Sequence, residues 1–148
     1  MRFLGLDLGD KIIGVAVSDQ LGITAQGVGI IRRAGLEHDL EKLSGYMKEY
    51  AADGFVIGYP KNMNGTIGER ALLSGQFAAL LQERFAGKEV ILWDERLTTA
   101  AAQKVLIEAD VRRRKRKTLV DKLAAVLILQ GYLDNRGMKN SAYFTGKQ

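Results

Sequence analysis

Residues 3–18 run Phe3-Leu4-Gly5-Leu6-Asp7-Leu8-Gly9-Asp10-Lys11-Ile12-Ile13-Gly14-Val15-Ala16-Val17-Ser18. Phe3 to Leu8 is a short apolar strand, and Gly9-Asp10 is a turn pair. From Ile12 to Val17 the larger residues Ile13, Val15 and Val17 alternate with smaller ones, which predicts the second strand of a hairpin. One acid, Asp7, interrupts the first strand. It is flanked by Gly5 and Gly9, so little side-chain bulk surrounds it, and Asp10 already serves the turn.

Outward from this hairpin the pattern changes period. A third strand is expected over Thr24 to Ile31, after Gly22 and before Arg32-Arg33. Leu36, Leu40, Leu43, Met47 and Tyr50 then fall at the spacing of one helix face, with Gly54 as the stop. Phe55-Val56-Ile57, bounded by Gly58 and Pro60, is a buried strand. Leu73, Phe77, Leu80 and Leu81 mark a second helix ending near Gly87, and Val90 to Trp93 a further strand. Thr98 or Thr99 caps a third helix with Ala102, Val105, Leu106 and Ala109 inward. Thr118 caps a fourth from Leu119 to Leu133, whose Leu123–Leu129 stripe is core. The fold class is α/β: a five-stranded mixed sheet, three antiparallel strands and then parallel ones, with helices on both faces, because parallel strands need crossovers that cover the sheet. Residues 1–136 form one domain, and 137–148 are expected to be a disordered C-terminal tail.

A chain of 148 residues with 47% hydrophobic content can bury a real core. With no cysteine there is no disulfide framework, zinc-thiolate site or cysteine nucleophile. The apolar residues before Asp7 are too few for a signal-peptide core, and Leu123 to Leu129 is too short to span a bilayer, so a cytoplasmic location is expected. The net charge of +5 depends on Arg112-Arg113-Arg114-Lys115-Arg116-Lys117; without these six residues, 16 Lys and Arg face 17 Asp and Glu. Such a block is the electrostatic footprint of a polyanion partner, RNA or DNA, or else a solvated loop.

Three acidic positions stand where a metal-assisted phosphodiester cleavage would need them. Hard cations such as Mg²⁺ or Mn²⁺ take oxygen ligands, so a few convergent carboxylates plus a substrate phosphate make a site. The first is Asp7. The second is Asp94 or Glu95, at the carboxyl end of a strand, where open α/β sheets place ligands; the other member of the pair can bridge to Arg96. The pattern leaves that choice open, with Glu95 favoured and Asp94 the alternate. The third is Asp121, which also fits a capping box begun by Thr118. The loop Gly58-Tyr59-Pro60-Lys61-Asn62-Met63-Asn64-Gly65-Thr66 supplies amides, Lys61, Asn62 and Asn64 for a phosphate or sugar, although its Asn-Gly is also an ordinary turn. His38 is expected on the surface.

Gly5-Leu6-Asp7-Leu8-Gly9 with Ile13 to Asp19, then the 58–66 loop, then Asp94-Glu95-Arg96-Leu97-Thr98-Thr99, then Asp121-Lys122-Leu123-Ala124-Ala125 together resemble the YqgF family. That family is similar to Holliday-junction resolvases of the RNase H-like superfamily, and its members are regarded as nucleases that mature the 5′ end of pre-16S ribosomal RNA. The resemblance implies an RNase H-like fold and Mg²⁺- or Mn²⁺-dependent phosphodiester hydrolysis leaving 5′-phosphate and 3′-hydroxyl ends. Matched by position, Asp7, Glu95 and Asp121 are its catalytic and metal-holding acids. Tyr59 and Asn64 stand where many relatives carry Leu and Asp, and residues 137–148 lie outside the resemblance.

On this reading Lys61, Asn62, Asn64, Arg96 and the block Arg112 to Lys117 hold the nucleic-acid backbone without reading bases. The partner is pre-ribosomal RNA or branched DNA, with the ribosomal particle as a source of selectivity, and the chain is a monomer or a homodimer. Two alternatives within the same fold are a four-way-junction resolvase and a binding factor without chemistry. An actin-like sugar kinase, which shares an Asp-x-Gly turn, would need two such domains, and the length argues against it.

Overall fold

The computed structural model describes residues 1–62, 64–97 and 117–146, the last segment with its side chains over 122–137. Strands β1 (Phe3–Leu8), β2 (Ile12–Ser18) and β3 (Ala25–Arg32) are followed by α1 (Leu36–Glu49), β4 (Gly54–Tyr59), α2 (Glu69–Arg84) and β5 (Glu89–Asp94). A 3₁₀ turn at Glu95–Leu97 and α3 (Lys117–Gly146) complete the elements. The sheet order is β3-β2-β1-β4-β5. β1 to β3 pair antiparallel, whereas β4 lies parallel to β1 and to β5. This is the mixed sheet that the hairpin and the strand-helix-strand pattern imply. The expected third helix and residues Arg112 to Arg116 lie outside the described residues, as do the side chains of Lys117 and Asp121.

Side chains alternate across the strands, so β1 feeds two cores. Leu4 and Leu6 join Val15, Phe55, Ile57, Leu43 and Leu81 in the layer under α1 and α2. Phe3 joins Ala16, Val56, Trp93, Ile128 and Leu129 under α3. Each wholly buried Leu, Ile or Phe contributes about 1.5–3 kcal/mol of transfer free energy. The α3 layer depends on missing side chains: a Cβ on Gly5 would lie 2.6 Å from Leu129 Cβ and 3.1 Å from the Ala125 carbonyl oxygen. Glycine at that point lets the helix approach the sheet.

Three details depart from expectation. Helix α1 ends at Glu49, before Gly54, because Ala51 turns left-handed at φ 49°. Ala52 N–H then donates to the Met47 carbonyl at 3.0 Å, the bond of a Schellman stop. Gly54 instead belongs to β4, where a Cβ would meet the Glu89 carbonyl oxygen at 2.7 Å. Leu36 and Leu73, expected on inner faces, are exposed by 41% and 43%; Ala71, Ser74, Phe77, Ala78 and Leu81 form the buried face of α2. Finally, α3 runs well past the expected end at Leu133.

Candidate active site

Asp7 sits on β1 at the same parity as Phe3 and Gly5, and thus on the α3 side of the sheet, with only 7% of its surface exposed. Its cross-strand partner is Gly14. On the other flank β4 pairs Ile57 with Leu6, so Gly58 is the next β4 residue beside Asp7. Gly5 and Gly9 lie two residues away along β1. The carboxylate therefore rises from a patch of sheet whose neighbours on that face have no side chains. Gly9 has its own reason to lack one: its N–H donates to the Ile12 carbonyl at 3.0 Å, and a Cβ would sit 2.7 Å from that oxygen.

The pair at the end of β5 divides its roles between the faces. Asp94 pairs with Tyr59, whose ring is turned toward Gly75 of α2. Its two carboxylate oxygens accept from Arg96: Nη2 at 2.8 Å, Nε at 3.1 and 3.2 Å and the backbone N–H at 3.0 Å. The hydrogen bond from the Arg96 side chain, the largest influence, holds the Asp94 pKa below the ordinary carboxylate value and raises that of Arg96. Glu95 points to the other side. Its Oε2 lies 2.8 Å from where a Cβ on Gly58 would be, next to Ile128 Cδ1 at 2.6 Å from the same point. Asp7 and Glu95 thus border one glycine on one face, while Asp94 is spent on Arg96.

Helix α3 runs antiparallel to β1. Tyr132 meets Phe3 edge-on at 5.6 Å, and Leu129 and Ala125 cover Gly5. One turn earlier comes position 121, on the helix face of the buried residues Ala125 and Ile128 and toward the Asp7 end of the strand. The Asp121 side chain itself is outside the described residues. Among those that are described, no group of three or more His, Asp or Glu is placed to hold an ion.

The loop after β4 is shaped by its own polar groups. Asn62 Nδ2 donates to Thr66 Oγ1 at 2.9 Å, Asn64 Oδ1 accepts from Thr66 N–H at 3.0 Å and from its hydroxyl at 2.7 Å, and Gly65, at φ 88°, donates to the Asn62 carbonyl at 2.8 Å. The Asn-Gly turn is present, and part of the hydrogen-bonding capacity of Asn62 and Asn64 goes into it. Arg96 Nη1 lies 3.4 Å from the Cβ point of Gly65, so the loop and the 3₁₀ turn touch. The Lys61 ammonium stands 5.7 Å over the Tyr59 ring.

Residues 1–135 match the family model RuvX, described as Holliday junction resolvase. The chain belongs to the RuvX family. It is 56% identical over 140 residues to a protein named "Putative pre-16S rRNA nuclease" from Desulfitobacterium hafniense (strain DSM 10664 / DCB-2), covering 95% of this chain and 96% of that one. The relative of the same name from Bacillus subtilis (strain 168) is 56% identical over 137 residues, with 91% and 99% covered. The RuvX fold is that of the resolvases. Thermus thermophilus RuvC in complex with Holliday junction substrate matches with a TM-score of 0.56 at 14% identity, over 93% of this chain and 96% of that one. The Fowlpox virus resolvase complex with Holliday junction DNA matches with a TM-score of 0.55 at 12% identity, over 92% and 99%. The expected YqgF resemblance and RNase H-like fold are therefore both found, and nuclease activity, the hydrolysis of phosphodiester bonds in nucleic acid, comes with family membership. Among the described residues no helix is long and apolar enough to cross a membrane.

Sequence reasoning missed Gly58 and Gly14 as the bare floor beside Asp7. Their signal was present: each is a glycine at an alternate strand position level with the acid. It also missed Arg33, whose Nη1 donates to the Gly9 carbonyl at 2.9 Å and whose Nε donates to the buried Asp39 at 3.0 Å, tying the hairpin turn to α1.

Proposed function

We propose that this chain is a cytoplasmic, divalent-metal-dependent nuclease that trims the 5′ end of pre-16S ribosomal RNA, with Asp7, Glu95 and Asp121 as its catalytic acids. The observation that carries the proposal is the bordering of Gly58 by Asp7 and Glu95 on the α3 face. The donor set fits the cofactor: carboxylate oxygens on a floor without Cβ atoms suit a hard ion such as Mg²⁺ or Mn²⁺ and leave room for a phosphate. Asp7, Glu95 and Asp121 would hold it, and when bound it supplies activation of water and stabilisation of charge on the phosphate. The chain's other residues position the substrate. Arg96, held in plane by Asp94, and Lys61 offer cations at the rim beside Glu95, and Arg112 to Lys117 grip the backbone without reading bases. Selectivity then comes from RNA shape or from the ribosomal particle.

The family description favours a second reading, resolution of four-way DNA, since both substrates present phosphates to the same acids. One assay separates them. Cleavage with Mn²⁺ is measured on precursor ribosomal RNA, single-stranded RNA and four-way DNA, beside Asp7→Asn and Glu95→Gln. The RNA precursor should be cut fastest, with each variant slowed about 10²-fold or more. Preferential cutting of four-way DNA would replace the ribosomal reading, and full activity in Asp7→Asn would remove the site.

A further inference from the structure

Across the sheet rim from Asp7 lies a groove with a cavity of about 170 Å³, walled by Leu8, Gly9, Arg33, Leu36, Leu73 and Phe77. Leu8 follows Asp7 directly and points to the opposite face, so the groove opens one residue beyond the acid. Its volume is below the ~300 Å³ at which drug-sized pockets begin and matches a single ring-sized group.

Its chemistry is that of a base-stacking platform. The Arg33 guanidinium lies 5.7 Å from the Phe77 ring centroid, its Nε is fixed by Asp39 and its Nη1 by the Gly9 carbonyl. Phe77 and Asp39 are buried, at 4% and 1% exposure, while the Arg33 side chain keeps 26% of its surface open. A planar cation fixed on three sides has lost its rotamer freedom in advance, and its Nη2 has no partner among the described residues. Guanidinium planes, like aromatic rings, are surfaces on which unpaired bases stack. Leu36 and Leu73 stand at the mouth, 41% and 43% exposed, and give the groove an apolar rim. Arg70 and Asp10 also line the groove; Arg70 forms no ion pair among the described residues and, with Arg33, outweighs the single Asp10 carboxylate, which suits a phosphate.

We infer that this groove is a subsite for one unpaired nucleotide of the substrate strand, its base lying on Arg33 between Leu36 and Leu73 and its phosphate facing Arg70. The inference rests on the nuclease reading, and it adds a reason for the enzyme to prefer single-stranded flanks. A strand passing over the rim from Asp7 reaches the groove only with that base unstacked, which a continuous duplex does not provide.

The test uses binding, so that it does not depend on cutting. A fluorescein-labelled RNA hairpin has a single-stranded 5′ flank, and its duplex junction fixes the register. It carries one abasic ribose, moved position by position along the flank, and is titrated by anisotropy against full-length Asp7→Asn and against Asp7→Asn with Leu73→Glu or Leu36→Glu. Both leucines are exposed, so either substitution keeps the core intact, and thermal melts check each protein. In Asp7→Asn one abasic position should weaken binding about tenfold. The glutamate variants should weaken the intact RNA by a similar factor and abolish the penalty at that position alone. A penalty undiminished in both glutamate variants, or none at any position, overturns the subsite. The nuclease reading fails separately, through cleavage retained by Asp7→Asn on its own.

Discussion

Glu95 Oε2 stands 2.8 Å from the point a Cβ on Gly58 would occupy, and Ile128 places Cδ1 at 2.6 Å and Cγ1 at 3.1 Å from the same point. The two nearest atoms are far ends of side chains and none of the three is backbone, so Gly58→Ala can be accommodated by moving Glu95 and Ile128. We expect a stability loss of about 1 kcal/mol, at the mild end of overpacking, with cleavage falling far more than stability because Glu95 is displaced from the Asp7 floor. Urea unfolding read beside kcat settles this. An alanine variant with full activity would show that the position of Glu95 does not matter to the chemistry.

Gly5→Ala should behave in the opposite way. Its Cβ would meet Leu129 Cβ and the Ala125 carbonyl, atoms fixed to the α3 backbone. The whole helix must lift from the sheet, for a cost of about 2–3 kcal/mol. The two glycines are therefore distinguished by denaturation: Gly5→Ala should unfold at clearly lower urea than Gly58→Ala.

The Asp94–Arg96 fork predicts a pH dependence. Its hydrogen bonds hold the folded Asp94 pKa below the ordinary value, so the stability it adds is present at neutral pH and is lost as the pH falls through that depressed value. Asp94→Asn should be less stable than the parent near neutrality. The difference should shrink on stepwise acidification, measured by urea unfolding at each pH. A difference independent of pH would mean that the fork adds no charge-linked stability.

The sheet was legible because two periodicities mark it: alternation over Ile13, Val15 and Val17, and helical spacing over Leu40, Leu43 and Met47. Element ends were less so. Gly54 looks like a helix stop, but its lack of a Cβ answers a close strand contact, and the stop is made by Ala51, which carries no composition signal. Leu73 looks like core by spacing, yet the depth of α2 on the sheet is set by the small residues Ala71, Ser74 and Ala78. At the site, the face taken by Asp94 and Glu95 follows from where β5 ends against β4. That register is a tertiary fact, and Glu95 was favoured over Asp94 without it.

Asp7 and Glu95 share the Gly58 border, and carboxylates crowded on one rim repel one another. In EDTA, Asp7→Asn should therefore melt at the parent temperature or above it. Adding Mn²⁺ should raise the melting temperature of the parent, since a ligand of the native state stabilises it by mass action, and should leave Asp7→Asn unmoved. Equal Mn²⁺ shifts in the two proteins would take Asp7 out of the metal site even if cleavage were lost.

The basic block sets the final expectation. Arg112, Arg113, Arg114, Lys115, Arg116 and Lys117 account for the excess of positive over negative charge, so non-specific RNA affinity should fall steeply with salt, with a log–log slope of about −0.7 for each phosphate neutralised on a single strand. Replacing Arg112, Arg114 and Arg116 with alanine should make that slope shallower by about 2 if all three meet phosphates. The loss should be uniform across RNA sequences, because phosphate contacts carry no base information. Affinities for single-stranded RNA measured at stepped salt concentrations give the slope directly, and a triple variant with the parent's slope would assign the backbone grip to the 58–66 loop and Arg96 instead.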